Sequence, residues 1–245
     1  EDGIRDVAVT GVQTCALPIF ESALAHAGLA GRVAVGTDAE AAFEDAFGDG
    51  PGILLLSGTG SIALGRSSEG RLGRVGGWGS LLGDEGSGHA IGLEALRRVA
   101  RSADGRGAET ALRALLLTRL GLHAPEELIP WSASASRAEV AALAPDVGRA
   151  AADGDATAGE IIEAAVRDLE GHVVALLENL GPWPRRPGVA LGGGLLEKGG
   201  ALRVPLEWAL AERGLDWIDR TPDAARGAAN KALRGARIPG REGSA

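Results

Sequence analysis

Short apolar runs alternate with helical stripes along this chain. Residues 53–56 (ILLL) form an unbroken apolar run that predicts a buried strand, and the run breaks at Ser57-Gly58-Thr59-Gly60-Ser61. A second short strand follows at 62–65, with a turn at Ser68-Glu69-Gly70, so a hairpin adds antiparallel strands here. Residues 33–35, 189–191 and 215–218 are further short strands. Elsewhere the helical period takes over. The longest stripe spans 157–180, where Ile162, Val166, Leu169, Val173, Leu176 and Leu180 recur every three or four residues and predict one continuous buried face. Shorter helices are predicted at 39–47, 88–101, 108–120, 137–143, 145–152, 200–213 and 223–233, and 22–28 reads as the end of another. Residues 125–131 read as a connection, and 237–245 as a polar, disordered tail. Strands alternating with helices imply an α/β fold with a largely parallel sheet.

Composition narrows the function classes. A chain of 245 residues suits one large domain or two small ones. The net charge of −8 argues against nucleic acid and anionic membrane as partners, both of which want clustered Lys and Arg. No apolar run reaches the length of a membrane span, and no secretion signal is legible. The single cysteine, Cys15, permits neither an internal disulfide nor a cysteine metal site. The four histidines are scattered without metal-ligand spacing.

The candidate chemistry gathers between residues 53 and 98. Gly58 and Gly60, just past a buried strand, allow close backbone approach to a ligand, and the amides of that loop can cradle phosphate oxygens, with Thr59 and Ser61 adding hydroxyls. A plain hairpin turn uses the same residues, and there is no Walker-type Gly-Lys-Ser/Thr pair. Gly76-Gly77-Trp78-Gly79 reads either as an indole in a sugar pocket or as a core tryptophan packed by glycines. Asp84 reads as an acceptor for sugar hydroxyls, or else Asp84 or Ser87 caps the helix that follows. His89, next on that helix, reads as a structural or pocket-rim residue. Asp38 opens a helix after a strand and is the right type for a general base in phosphoryl transfer, or for a helix cap. Gly192, Gly193 and Gly194, between a strand and a helix, read as a turn or as the border of a nucleotide base.

The order of these motifs carries more than any one of them. Asp-Ala-Glu after a strand, then SGTGS, then GGWGSLLGDEGSG, then GGG before a helix resembles the N-acetylglucosamine kinase branch of the BadF/BadG/BcrA/BcrD ATPase family over residues 20–233. The resemblance implies an actin-like, ribonuclease-H-like α/β fold with two lobes and a cleft, and a cytoplasmic enzyme that transfers phosphate from ATP, with Mg²⁺, to an amino sugar; it also allows a homodimer. It implies roles residue by residue. Asp38 is the catalytic base. Gly58, Thr59 and Gly60 touch the ATP phosphates, and Gly192 to Gly194 border the adenosine. Ser61, Ile62, Gly77, Trp78, Gly79 and Asp84 line the sugar site. At Ile62 some members carry a polar residue that contacts the sugar, so this chain departs from the pattern there. N-acetylmuramic acid or glucose is the alternative acceptor. An activator of 2-hydroxyacyl-CoA dehydratases would want cluster-ligating cysteines, and a sugar-responsive regulator would want a helix-turn-helix; neither is seen.

Residues 1–19 resemble something else, the conceptual translation of an index-bearing adapter used in short-read DNA sequencing, with Val7-Ala8 at the variable index. On that reading the segment is set aside from the fold, and Cys15 is not natural sequence. Read as natural protein, it holds a strand at 7–10 with a turn at Gly11. The resemblance then divides the chain into a remnant of the first lobe at 20–51, the second lobe at 52–222, a helix packing back on the first lobe at 223–236 and the tail, with Asp49-Gly50-Pro51-Gly52 as the hinge. The family's first phosphate loop, of Asp-Gly-Gly-Gly-Thr type, has no counterpart in 1–19. The expectation is therefore an incomplete first lobe and little or no kinase activity from this chain.

Overall fold

The computed structural model describes residues 6–9, 17–27 and 32–236. A five-stranded sheet organises them, in the order β5 (Leu72–Gly76), β4 (Ser61–Arg66), β3 (Gly52–Ser57), β6 (Val189–Gly192), β7 (Trp217–Ile218). The first three strands run antiparallel and β3, β6 and β7 run parallel, so the sheet is mixed, less parallel than expected. An antiparallel meander followed by parallel strands in this order is the ribonuclease-H-like lobe of the actin-like ATPase fold. A separate parallel pair joins β1 (Asp6–Val9) to β2 (Arg32–Val35). β1 falls within the segment set aside above, where its reading as natural protein puts a strand.

Strand period two divides the core. Ile53, Leu55, Ala63, Val189 and Leu191 point to one face, into the main core; Leu54, Leu64, Ala190 and Ile218 point to the other. Helix α8 (Ala156–Leu180) lies over the first face, and Leu169, Val173, Leu176 and Leu180 of its stripe are all buried there. It sits close because the strands and loops beneath it are glycine. A Cβ at Gly73 would come within 3.1 Å of Leu176, one at Gly76 within 3.1 Å of His172, and one at Gly86 within 2.8 Å of the Ala165 carbonyl. Several glycines of the central stretch thus serve helix packing rather than a ligand.

The second face is covered by α2 (Asp38–Phe47), through Ala42 and Phe43, with Ala224 of α10 (Ala224–Ala236) packed against the same cluster. A Cβ at Gly52 would overlap the Phe47 ring, while Phe43 packs with Leu54, so later helix residues meet earlier strand residues. Helix α2 therefore runs back along β3, and its first residue, Asp38, lies toward the carboxyl end of that strand. α10 packs along α2: a Cβ at Gly227 would overlap the Ala41 carbonyl.

The remaining helices are α1 (Leu17–His26), α3 (Gly88–Ala103), α4 (Leu112–Leu120), α5 (Leu128–Ser134), α6 (Arg137–Ala141), α7 (Ala144–Ala152) and α9 (Arg203–Glu212). α4 starts four residues later than its pattern predicts, because Asp155 holds the Thr110 hydroxyl at 2.9 Å and the Ala111 amide at 2.7 Å in a turn. α5 occupies what reads as a connection; its Pro130 falls in the first turn, where the missing amide costs nothing. The predicted tail lies outside the described residues. Among those described, no helix is long and apolar enough to cross a membrane.

Candidate functional site

The parallel register of β3 and β6 brings their carboxyl ends to one edge of the sheet, the place where open α/β sheets bind ligands. β4 starts at that edge and β5 ends there, so the loops 58–60, 77–87 and 193–202 converge on it. They are bolted together by backbone and hydroxyls. Ser57 donates its hydroxyl to the Gly86 carbonyl at 2.8 Å, and Ser61 donates to the Glu85 carbonyl at 2.7 Å. The amide of Gly88 donates to the Gly58 carbonyl at 2.7 Å, and that of Leu195 to the Ser57 carbonyl at 3.2 Å. The Ser61 hydroxyl, expected at a ligand, thus spends its proton on the loop.

In the loop 57–61 the Gly58 amide closes the turn on the Gly60 carbonyl at 2.9 Å, and the Ser61 amide donates to Asp84 Oδ1 at 3.4 Å. The amides of Thr59 and Gly60 have no protein partner among the described residues, and Thr59 is exposed. These two amides are available to an anion at the edge.

The glycines sort by what a side chain would meet. At Gly58, Gly79 and Gly194 a Cβ would find nothing within 4 Å. At Gly60 it would press on Asp84 at 3.1 Å, at Gly77 on Ile62 at 2.8 Å, and at Gly192 on Leu56 at 2.8 Å. At Gly193, with φ +86°, it would strike the Ser57 backbone, its carbonyl carbon 2.7 Å away. Gly193→Ala is therefore expected to cost about 1–3 kcal/mol of stability, measured by urea melts. Gly58→Ala and Gly194→Ala, with open space and no left-handed φ, are expected to stay within about 0.5 kcal/mol of the parent in the same melts.

Trp78 stands 65% exposed, so the core reading of it fails. Arg74 lies over its ring, 5.2 Å from the centroid. Leu81 and Leu82 of the same loop are exposed too, which makes this lip of the edge apolar. Half-buried Ile62 covers Gly77. Asp84 does not cap α3; Ser87 does, accepting from the Ala90 amide at 3.2 Å. Asp84 is instead a buried carboxylate, 4% exposed, in a left-handed conformation (φ 62°), and its Oδ2 takes a 2.6 Å bond from Arg137 Nη2. Nothing in the sequence marks Arg137 as a site residue. Ser136-x-x-Glu139 does mark the start of its helix, and the capping box forms, but the contact with Asp84 spans 53 residues. His89, half-buried on the first turn of α3, is held below the ordinary imidazole range by burial and by the Arg137 charge, so it is neutral near pH 7. His172, beneath Gly76, is likewise pushed down by burial.

Asp38 is exposed. The cap of its helix is Thr37, whose hydroxyl accepts from the Glu40 amide at 3.2 Å while Glu40 accepts the Thr37 amide at 2.8 Å, a complete capping box. The cap reading of Asp38 fails, and its carboxylate is free of that duty.

The chain is similar to known proteins along most of its length. The chain is 36% identical over 180 residues to the N-acetylmuramic acid/N-acetylglucosamine kinase of Clostridium acetobutylicum, covering 73% of this chain and 59% of that protein. It is 35% identical over 188 residues to the N-acetyl-D-glucosamine kinase of Dictyostelium discoideum, covering 74% and 59%. The chain thus spans about three fifths of the length of these relatives. A solved structure from Chromobacterium violaceum, provisionally named an N-acetylglucosamine kinase, superposes with a TM-score of 0.72 at 31% identity, covering 86% of this chain and 70% of that one. The profile of the BadF/BadG/BcrA/BcrD ATPase family matches residues 4–229, a span that begins inside the segment set aside at the amino terminus. With the strand order, the converging loops and this match along most of its length, the chain belongs to the BadF/BadG/BcrA/BcrD ATPase family.

Proposed function

We propose that this protein takes part in ATP-dependent phosphorylation of an amino sugar, N-acetylglucosamine or glucosamine, at the 6-hydroxyl, in the cytoplasm. The observation that carries this is the convergence on one sheet edge of free backbone donors, an exposed indole and a sealed carboxylate. The relatives' names support it. The nucleotide fits the edge: Gly58 and Gly194 leave space that a Cβ would fill, and Thr59 and Gly60 present amides for phosphate oxygens. The face of Trp78 suits the apolar face of a pyranose, and Asp84 has lone pairs left for ring hydroxyls.

Asp38 accepts the proton of the 6-hydroxyl as that oxygen bonds to the γ-phosphorus and the bond to the bridging β–γ oxygen breaks, releasing ADP. Among the described residues no cluster of His, Cys, Asp or Glu forms a metal site. Mg²⁺ would arrive with the nucleotide and would neutralise charge on its phosphates.

N-acetylmuramic acid is the second acceptor to try, since the Clostridium relative's name includes it. An assay coupling ADP release to each of N-acetylglucosamine, glucosamine, N-acetylmuramic acid and glucose tests the reading, alongside calorimetric titration of each sugar. Binding or turnover of an amino sugar in preference to glucose is the expected result. Equal indifference to all four sugars in both measurements sinks it.

A further inference from the structure

Asp84 is gripped from outside the loops that carry it. The loops close without help from α6, through Ser57, Ser61 and the Gly58–Gly88 bond. Yet Arg137, at the first residue of α6, reaches across to Oδ2 of Asp84 at 2.6 Å. The Asp84 side chain is buried while that of Arg137 is 52% exposed, so the guanidinium holds a buried group from the solvent side. Its reach depends on how close α6 lies to α3. Gly88 and Gly92 occupy one face of α3, four residues apart; a Cβ at Gly88 would meet the Ala141 carbonyl at 3.2 Å, and one at Gly92 would overlap the backbone of Val140. A glycine inside a helix costs about 1 kcal/mol against alanine, and here the close approach of α6 is what it permits. The capping box of Ser136 and Glu139 fixes where α6 begins, and so the direction in which Arg137 leaves it.

Resting on the sugar-phosphorylating reading above, we propose that Arg137 is a positioning residue for the acceptor sugar. It holds one oxygen of Asp84 so that the remaining lone pairs keep a fixed direction at the loop edge. Without it, the carboxylate is steered, among the described residues, by the Ser61 amide at 3.4 Å, and hydroxyl contacts lose their alignment. The sugar subsite is then built jointly by the sheet-edge loops and α6, and the Arg137–Asp84 ion pair ties the two together.

The test is calorimetric titration of N-acetylglucosamine into the whole chain and into Arg137→Gln, Arg137→Lys, Asp84→Asn and the double variant Arg137→Gln/Asp84→Asn. Arg137→Gln is expected to bind roughly tenfold more weakly, and the double variant no more weakly than Asp84→Asn alone, the signature of two residues acting as one. Arg137→Lys is expected to fall between parent and glutamine, keeping the charge but losing the planar fork. Binding by Arg137→Gln equal to the parent, or additive losses in the double variant, overturns the proposal while leaving the sugar reading standing. A parent that binds no amino sugar overturns both. Should Arg137→Gln lose its cooperative melt, the lysine variant decides: affinity equal to the parent counts against a positioning role.

Discussion

Whatever rate of amino-sugar phosphorylation the protein supports, Asp38→Asn is expected to lower it by about 10²–10⁴-fold, the usual contribution of a positioned general base. The fold makes this a clean experiment. Asp38 is exposed at the first position of α2, while Thr37 and Glu40 close the capping box without it. Removing its charge leaves the helix start intact, and melts of the variant are expected to stay within about 0.5 kcal/mol of the parent. Affinity for the sugar should change little, because an amide of the same shape still fills the position. A loss of less than tenfold in turnover, with the fold intact, would remove Asp38 from the role of base and leave the edge loops as a binding site without an assigned catalyst.

The largest expected effect on stability comes from a buried carboxylate on the same helix. Asp45 has a side chain with no exposure and is held by two nitrogens of one arginine: Arg226 Nε lies 2.5 Å from Oδ1 and Nη2 lies 2.7 Å from Oδ2. The Asp223 amide adds a bond at 3.0 Å, and Arg220 stands 3.4 Å away. Its neighbour Glu44 is bound in the same way by Arg66, at 2.7 Å, and by Arg234. The Arg226 and Arg234 contacts fasten α10 to α2, and the Arg66 contact ties α2 to β4. Asp45→Ala is expected to cost about 3 kcal/mol, the scale for breaking a buried, hydrogen-bonded ion pair, and to lower the melting temperature by about 6–12 °C. A melt unchanged within a degree would show that packing alone holds the seam. The Arg226 guanidinium keeps the Asp45 carboxyl below the ordinary carboxylate range, against the opposing effect of burial. A depressed folded value means that this stabilisation is complete above the unfolded value of about 3.9 and is lost as pH falls through the folded one. The gap between parent and Asp45→Ala should therefore hold from neutral pH down to about pH 4 and narrow below it.

The strands were the most legible part of the chain, and for a definite reason. Residues 53–56 are buried on both faces, so the run is continuous, and in a register of period two it divides its side chains between the α8 face and the α2 face. The α8 stripe was legible because one side of a long helix meets one sheet. Short helices were read less well where a tertiary bond or a proline intervened: Asp155 delays α4, and Pro130 hides α5. At the site, residue types and order identified the loops, but the duties of individual groups followed from their neighbours. Trp78 stands outside because Gly76 and Gly77 turn the chain away from the core, and Ser61 gives its hydroxyl to the loop.

By itself, then, the sequence determined the alternation of strands and helices, the glycine-rich loops at strand ends, and the family to which their order belongs. These are local properties, set by period, turn chemistry and neighbouring residues. Only the tertiary structure decided which glycines face a helix and which face open space, that Thr37 rather than Asp38 caps α2, and that Asp84 is held by Arg137. Each of those outcomes depends on a contact whose geometry, or whose partner far along the chain, no local pattern specifies, and in the last case on how closely α6 settles onto Gly88 and Gly92.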